Sequence, residues 1–79
     1  MPEFSTQQRL VLSYLLEAKQ NKEIAERLGI KDGTVETHLT RIYRKFGVRD
    51  RVGAIMAYYG HIATQYQSAP KRKANNANA

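Results

Sequence analysis

Apolar side chains recur at helical spacing in four separate segments of the chain. The clearest repeat follows i, i+4, i+7 and i+11 and consists of Val35, Leu39, Ile42 and Phe46. The other segments contain Val11, Leu12, Leu15 and Leu16, then Ile24, Ala25 and Leu28, and finally Val52, Ile55, Met56, Tyr59 and Ile62. Because a 3.6-residue period is typical of amphipathic helices, the pattern predicts an all-α fold, a four-helix bundle over residues 4–66.

Short polar residues mark where each helix is expected to begin. Ser5, followed three positions later by Gln8, matches a capping box and predicts the start of the first helix. Asn21, Asp32 and Asp50 are the predicted caps of the second, third and fourth helices, since each can accept a hydrogen bond from a free backbone N–H group.

Glycines mark the expected helix ends. Gly29 and Gly47 follow the second and third apolar repeats, and glycine adopts the left-handed conformation of a helix C-terminus without steric cost. Gly60 predicts a stop or a kink in the fourth helix. Residues 67–79 lack apolar periodicity and are rich in Asn and Ala, so a disordered C-terminal tail is expected there.

Residues 21–39 predict two short helices joined by a glycine-containing turn, which is a helix-turn-helix. The second helix of this motif can enter a DNA major groove, with its first turns reaching the bases. Opposite the apolar stripe of that helix lie small polar and basic residues. The predicted base contacts are Glu36, Thr37 and Thr40, with Gly33 allowing close approach.

The carboxylate of Glu36 leaves two interpretations open. It can accept a hydrogen bond from cytosine N4, or it can be a solvated charge on the flank of the helix, paired with Thr40 or Arg44. The methyl groups of Thr37 and Thr40 can pack on a thymine methyl, or the two residues can be plain surface.

Composition favours a polyanionic partner and excludes several kinds of site. The net charge is +6, half of which comes from Lys71, Arg72 and Lys73 in the tail. The chain has no cysteine, so it contains no disulfide or thiolate zinc site. No apolar run reaches the length of a membrane span, and no signal peptide is evident, so a cytoplasmic protein is expected. No catalytic constellation, metal site or cofactor motif is found, and no enzymatic activity is expected.

Three motifs together resemble the C-terminal DNA-binding domain of LuxR/FixJ/GerE-type bacterial regulators. These are NKEIAxxLGI, TVxTHL and IYRKFGVRDR, and the resemblance extends from about residue 4 to residue 59. It implies a four-helix domain that binds double-stranded DNA as a dimer to control transcription, with RNA polymerase as a further partner. One departure is Ala18, at a position where the family commonly has glycine.

The resemblance also implies contacts with the DNA backbone. Lys22 stands at the position of the family's phosphate-contacting residue, where a helix N-terminus also attracts anions. His38 stands at the family's histidine position and is expected to be half-buried, with phosphate contact possible. The remaining predicted phosphate contacts are Thr34, Arg41, Arg44 and Lys45.

The fourth helix is the predicted dimer contact, because it has more large apolar residues than one buried stripe requires. Val52, Ile55 and Tyr59 are expected to face the core. The predicted dimer interface is Gly53, Met56, Ala57 and Tyr58, with the two small residues allowing close helix approach. A weak dimer completed on DNA would bind two half-sites about 10 bp apart.

Two alternative functions remain at this stage. One is a sigma-factor region-4 module, although the segment FGVRDRVGAI after the recognition helix favours the LuxR type. The other is a protein-binding decoy that forms heterodimers with a full-length regulator, which Glu36 and the poor capping residue Lys31 leave open. The chain is either a fragment of a longer regulator or a regulator that acts alone.

Overall fold

Four helices follow one another along residues 1–67, which are the residues that the computed structural model describes, with side chains to residue 64. They are α1 (Thr6–Leu16), α2 (Asn21–Leu28), α3 (Asp32–Phe46) and α4 (Arg51–Gln67). The predicted all-α bundle with a helix-turn-helix is confirmed. Residue 67 is the last residue of α4, and the remainder of the predicted disordered tail lies outside the described residues.

The helix α3 is central, since it packs against α1, α2 and α4. The largest fully buried side chains come from the first three helices and are Val11, Leu15, Ile24, Val35 and Ile42. The predicted stripe of α3 is confirmed, with Val35, Leu39 and Ile42 buried and Phe46 packed at the edge of the core. Burial of such aliphatic side chains stabilises the fold by about 1.5–3 kcal/mol each.

The start of α1 has the predicted capping box. Ser5 Oγ accepts a hydrogen bond from the backbone N–H of Gln8 at 3.1 Å, and Ser5 N donates to Gln8 Oε1 at 3.0 Å. Gln8 is buried, but its side-chain oxygen has this partner and a second one in Lys45 Nζ at 3.0 Å. The burial of its polar amide is thereby offset by hydrogen bonds.

The predicted caps of α2 and α3 are wrong. Gln20 and Lys31 occupy the two N-cap positions, and neither forms a side-chain cap hydrogen bond. Asn21 and Asp32 are instead the first residues inside their helices. The prediction for α4 is confirmed, because Asp50 Oδ1 accepts from Gly53 N at 2.8 Å.

Asn21 is used in a contact between distant parts of the chain. Arg51 Nη2, at the start of α4, donates to Asn21 Oδ1 at 3.0 Å and to the carbonyl oxygen of Lys19 at 2.6 Å. This arginine therefore joins the loop between α1 and α2 to α4. Burial raises the pKa of the neighbouring Tyr43, the positive charge of Arg51 opposes that rise, and Asp50 adds to it.

Gly60 does not end α4, which continues for seven more residues to Gln67. A glycine inside a helix costs about 0.5–1 kcal/mol relative to alanine but does not by itself stop the helix. Thr64 Oγ1 donates to the carbonyl oxygen of Gly60 at 2.9 Å. The carbonyl oxygen of Gly60 thus has a side-chain donor within the continuous helix.

The turn after α1 contains the one non-glycine residue with positive φ among the described residues. Ala18 has φ 64°, and its N–H group donates to the carbonyl oxygen of Leu15 at 2.9 Å. In this left-handed region the Cβ atom of an L-residue crowds the following carbonyl, at a cost of about 1–2 kcal/mol. Glycine, the residue that the resemblance leads us to expect at this position, would avoid this cost.

We expect Ala18→Gly to raise the free energy of unfolding by about 1 kcal/mol, because glycine removes this strain and recovers more than its added unfolded-state entropy costs. Urea denaturation followed by circular dichroism measures the change. The matched control is Ala63→Gly, an exposed position inside α4, which should lower stability by about 0.5–1 kcal/mol. Equal destabilisation by both changes would contradict the interpretation of Ala18.

Candidate nucleic-acid interface

The turn between α2 and α3 holds the two helices in a fixed relation. Gly29 ends α2 with φ 67°, a left-handed C-cap. The next residue, Ile30, donates its N–H group to the carbonyl oxygen of Ala25 at 3.0 Å and packs against the core. Ile24 of α2 and Val35 of α3 are both fully buried. The second helix of the motif is therefore positioned by its inner face, which leaves its outer face available.

The four predicted base contacts lie together on that outer face. Gly33, Glu36, Thr37 and Thr40 are all exposed, while the residues on the opposite side of α3 are buried. A Cβ atom placed on Gly33 would meet nothing within 4 Å. Packing inside the domain thus gives no reason for a glycine at this position, whereas a close approach to another molecule does.

The polar groups on this face differ in whether they already form hydrogen bonds within the domain. Thr37 Oγ1 donates to the carbonyl oxygen of Gly33 at 3.1 Å. Glu36 forms no hydrogen bond or ion pair with any of the residues that the structure describes, so the expected alternative of a flank charge paired with Thr40 or Arg44 is not seen. The carboxylate is available to an external donor.

Most of the predicted phosphate contacts are also exposed. Thr34, Arg41 and Arg44 lie on the exposed side of α3, and Lys22 is exposed in the first turn of α2. The neighbouring Glu23 is already paired with Lys19 at 3.4 Å and with Arg27 at 3.2 Å. The charge of Lys22 is therefore not neutralised by the acidic residue beside it.

His38 is half-buried on α3, as expected from its position. The Nδ1 atom of its ring is buried and has no hydrogen-bond partner. Only the other ring nitrogen, Nε2, can therefore reach a phosphate group.

Lys45 differs from the other predicted phosphate contacts in having partners within the domain. Its Nζ atom donates to the carbonyl oxygen of Glu3 at 2.7 Å and to Gln8 Oε1 at 3.0 Å, and it stands 5.4 Å from the centre of the Phe4 ring. The ammonium group joins the end of α3 to the N-terminal segment and α1. Two of the three N–H donors of Lys45 are thus used inside the domain, the side chain is exposed, and its contact with phosphate stays a prediction.

The predicted orientation of α4 is partly wrong. Ile55 packs against the core as expected, but Val52 is 65% exposed and Tyr59 is 54% exposed. Among the α4 side chains described, up to residue 64, the fully buried one is Ala54. The sequence pattern does not predict it, because apolar residues surround α4 and a small side chain does not stand out. Met56 is 68% exposed, as the dimer prediction requires.

Two of the four residues predicted for the dimer interface face the domain itself. A Cβ atom on Gly53 would lie 2.9 Å from Val48 Cβ, so the lack of a side chain here is explained by contact with the loop before α4. Tyr58 is half-buried and packs against the core. Ala57 is half-buried as well. The exposed large apolar residues described on α4 are Val52, Met56, Tyr59 and Ile62, and the first three form an exposed apolar stripe at i, i+4 and i+7.

The family of bacterial regulatory proteins called the luxR family has a model that matches residues 2–58 of the chain. The match covers the whole helix-turn-helix and continues into α4. The chain belongs to the luxR family. Membership makes these residues a helix-turn-helix DNA-binding domain of the kind found in transcription regulators. The alternative of a sigma-factor module is not supported, because the luxR match extends past α3.

Several curated luxR-type regulators are similar to the chain. It is 43% identical over 53 residues to the transcriptional regulatory protein LiaR of Bacillus subtilis, a match that covers 66% of this chain and 25% of LiaR. It is 50% identical over 40 residues to the C4-dicarboxylate transport transcriptional regulatory protein DctR of Rhodobacter capsulatus, which covers 51% of this chain and 20% of DctR. The chain thus spans about a quarter or less of the length of these relatives.

None of the helices in the described residues combines the length and the apolar character that a membrane crossing needs. Among these same residues, no group of three or more His, Cys, Asp or Glu side chains is arranged to hold a metal ion.

Proposed function

We propose that this luxR-family domain regulates transcription in the bacterial cytoplasm by inserting α3 into the major groove of a specific DNA sequence. The observation that carries the proposal is the outer face of α3, where exposed polar and basic side chains lie opposite a fully buried stripe. Side chains in the first turns of a recognition helix reach base edges. Gly33, Glu36, Thr37 and Thr40 are the proposed base contacts.

The proposed backbone contacts are Lys22, Thr34, His38, Arg41 and Arg44, with Lys45 contributing through its remaining N–H donor. Two helices supply them, so the phosphates on either side of the groove would be held by α2 and by α3. Binding of this kind releases counterions and is therefore strongly dependent on salt concentration.

The exposed stripe of Val52, Met56 and Tyr59 supports dimerisation through α4. An apolar stripe of three large side chains on one helix is too small for a strong interface, so we propose a homodimer that is weak in solution and completed on DNA. The dimer would bind two half-sites separated by about 10 bp. Contact with RNA polymerase is part of the same proposal, since it belongs to regulation by luxR-type proteins as the resemblance implies.

Salt-dependent DNA binding tests the placement of the backbone contacts. We expect Lys22→Ala and Arg44→Ala each to lower the slope of log affinity against log salt concentration by about 1, because each removes one phosphate contact. Fluorescence anisotropy with a labelled duplex over a range of salt concentrations measures the slope.

The control for these variants is Arg9→Ala, which removes the same charge from α1, beside Tyr58 of α4. Its slope should equal that of the unchanged domain. If all three variants have the unchanged slope, the proposed DNA surface is wrong. If the unchanged domain shows no salt-dependent binding at all, the protein-binding decoy, which the uncapped start of α3 at Lys31 favours, is the better explanation.

A further inference from the structure

We infer that the recognition face reads hydrogen-bond donors of the bases, namely the amino groups of cytosine and adenine, through Glu36 and Thr37. This inference rests on the proposed function and adds to it the chemical class of the operator. In the major groove only cytosine N4 and adenine N6 are donors, whereas guanine presents two acceptors, O6 and N7. A pair of acceptors on the first turns of α3 therefore selects against guanine at the bases it contacts.

The first acceptor is the carboxylate of Glu36. It is exposed, and no described residue forms an ion pair or hydrogen bond with it. An ionised carboxylate can only accept hydrogen bonds. Near DNA it is repelled by phosphates and by guanine O6 and N7, so its favourable contact in the groove is a base amino group.

The second acceptor is the hydroxyl group of Thr37. A hydroxyl has one proton to donate, and that proton is directed to the carbonyl oxygen of Gly33 at 3.1 Å. The oxygen keeps a lone pair for an outside donor, and the methyl group remains free to pack on a thymine methyl. Thr37 thus presents the same hydrogen-bonding polarity as Glu36, its neighbour in the helix.

The cations on this face lie later along α3. Arg41 and Arg44 are five and eight residues after Glu36, which at 1.5 Å per residue places them about 7.5 Å and 12 Å further along the axis. Neither arginine forms an ion pair with Glu36. The two tasks of DNA binding are therefore divided along the helix, with acceptors for the bases first and cations for the phosphates after them.

The test begins with selection of bound sequences from a random pool for the wild-type domain, Glu36→Ala and Glu36→Gln. We expect the wild-type domain to select cytosine or adenine at one position of each half-site, with about 5- to 150-fold discrimination against guanine. This preference should be lost in Glu36→Ala. The Glu36→Gln variant should still select adenine at this position, because glutamine pairs with adenine N6 and N7.

A second measurement tests the amino group itself. The selected cytosine or adenine is replaced by N4-methylcytosine or N6-methyladenine, which keep base pairing but remove the donor hydrogen from the major groove. Methylation should weaken binding of the wild-type domain about 5- to 150-fold and leave binding of Glu36→Ala unchanged. A duplex methylated at a base pair outside the half-site is the control and should bind normally.

Thr37 is tested with two variants that differ in one group. Thr37→Val keeps the methyl group and loses the acceptor, whereas Thr37→Ser keeps the hydroxyl. The serine variant should keep the preference for a base amino group at the position that residue 37 contacts. The valine variant should lose this preference. Unchanged thermal transitions show that these exposed substitutions leave the fold intact.

The outcomes separate this inference from the proposed function. Selection of guanine at the contacted positions, no sequence preference, or no effect of amino methylation would each overturn the inference, even when binding remains salt-dependent. Loss of salt-dependent binding to every duplex would instead overturn the proposed function. Discrimination that follows the amino group and vanishes in Glu36→Ala supports both.

Discussion

Replacing Arg51 with methionine is expected to lower the free energy of unfolding by about 2 kcal/mol. The guanidinium group donates to the Lys19 carbonyl at 2.6 Å and to Asn21 Oδ1 at 3.0 Å, and methionine would leave both acceptors without this partner. Hydrogen bonds to charged groups contribute about 1.5–3 kcal/mol each, and partial exposure of Arg51 reduces the loss. In a small domain, whose total stability is only about 5–10 kcal/mol, this is a large fraction.

Urea denaturation of Arg51→Met measures this loss. The matched control is Arg49→Met, two residues earlier, where the arginine is exposed and forms no hydrogen bond within residues 1–67. It should change stability by less than about 0.5 kcal/mol. Equal losses in the two variants would mean that removal of a positive charge, and not the contact between α4 and the first loop, determines the effect.

Met56→Glu is expected to abolish cooperative binding to two half-sites. Met56 is at the centre of the exposed stripe with Val52 and Tyr59, so a dimer formed through this stripe would have to bury the new carboxylate. An unpaired charge at such a position costs several kcal/mol, more than a weak dimer contact supplies. Because Met56 is 68% exposed in the single domain, folding and affinity for one half-site should change little.

Binding isotherms on duplexes with one and with two half-sites measure the cooperativity. Met56→Leu should keep it, because the stripe remains apolar. Ser13→Glu adds the same charge at an exposed position of α1, so it controls for general repulsion from DNA and should also remain cooperative. Cooperative binding by Met56→Glu would show that α4 is not the dimer contact.

The sequence pattern is sufficient to predict the four helices and the side of α3 that is buried. Val35, Leu39 and Ile42 stand out because the opposite side of that helix is uniformly polar, so the periodicity has a single interpretation. In α4 large apolar residues lie on several sides. The buried position is then chosen by the fit of a small residue, Ala54, and by the partners that α4 meets, which no local pattern contains.

Sequence patterns also do not predict contacts between distant segments of the chain. Asn21 had the residue type and position of a helix cap, but its oxygen faces an arginine thirty residues later. Lys45 has the charge and position of a phosphate contact, and two of its donors are used by acceptors 37 and 42 residues earlier. In both cases the folded chain brings near a partner that no local pattern contains.

The close packing of Gly53 on Val48 has a consequence for the rotational phase of the operator. A Cβ atom at Gly53 would lie 2.9 Å from Val48 Cβ, so α4 begins close against the loop that joins it to the end of α3. In a dimer held through α4, the two recognition helices would then be presented at a fixed separation and a fixed angle. One inserted base pair turns the second half-site by about 35° around the DNA axis. The loop between α3 and α4 is short and tightly packed, so the domain has little torsional freedom to follow that turn. Its operators should therefore tolerate changes of base more readily than changes of spacing.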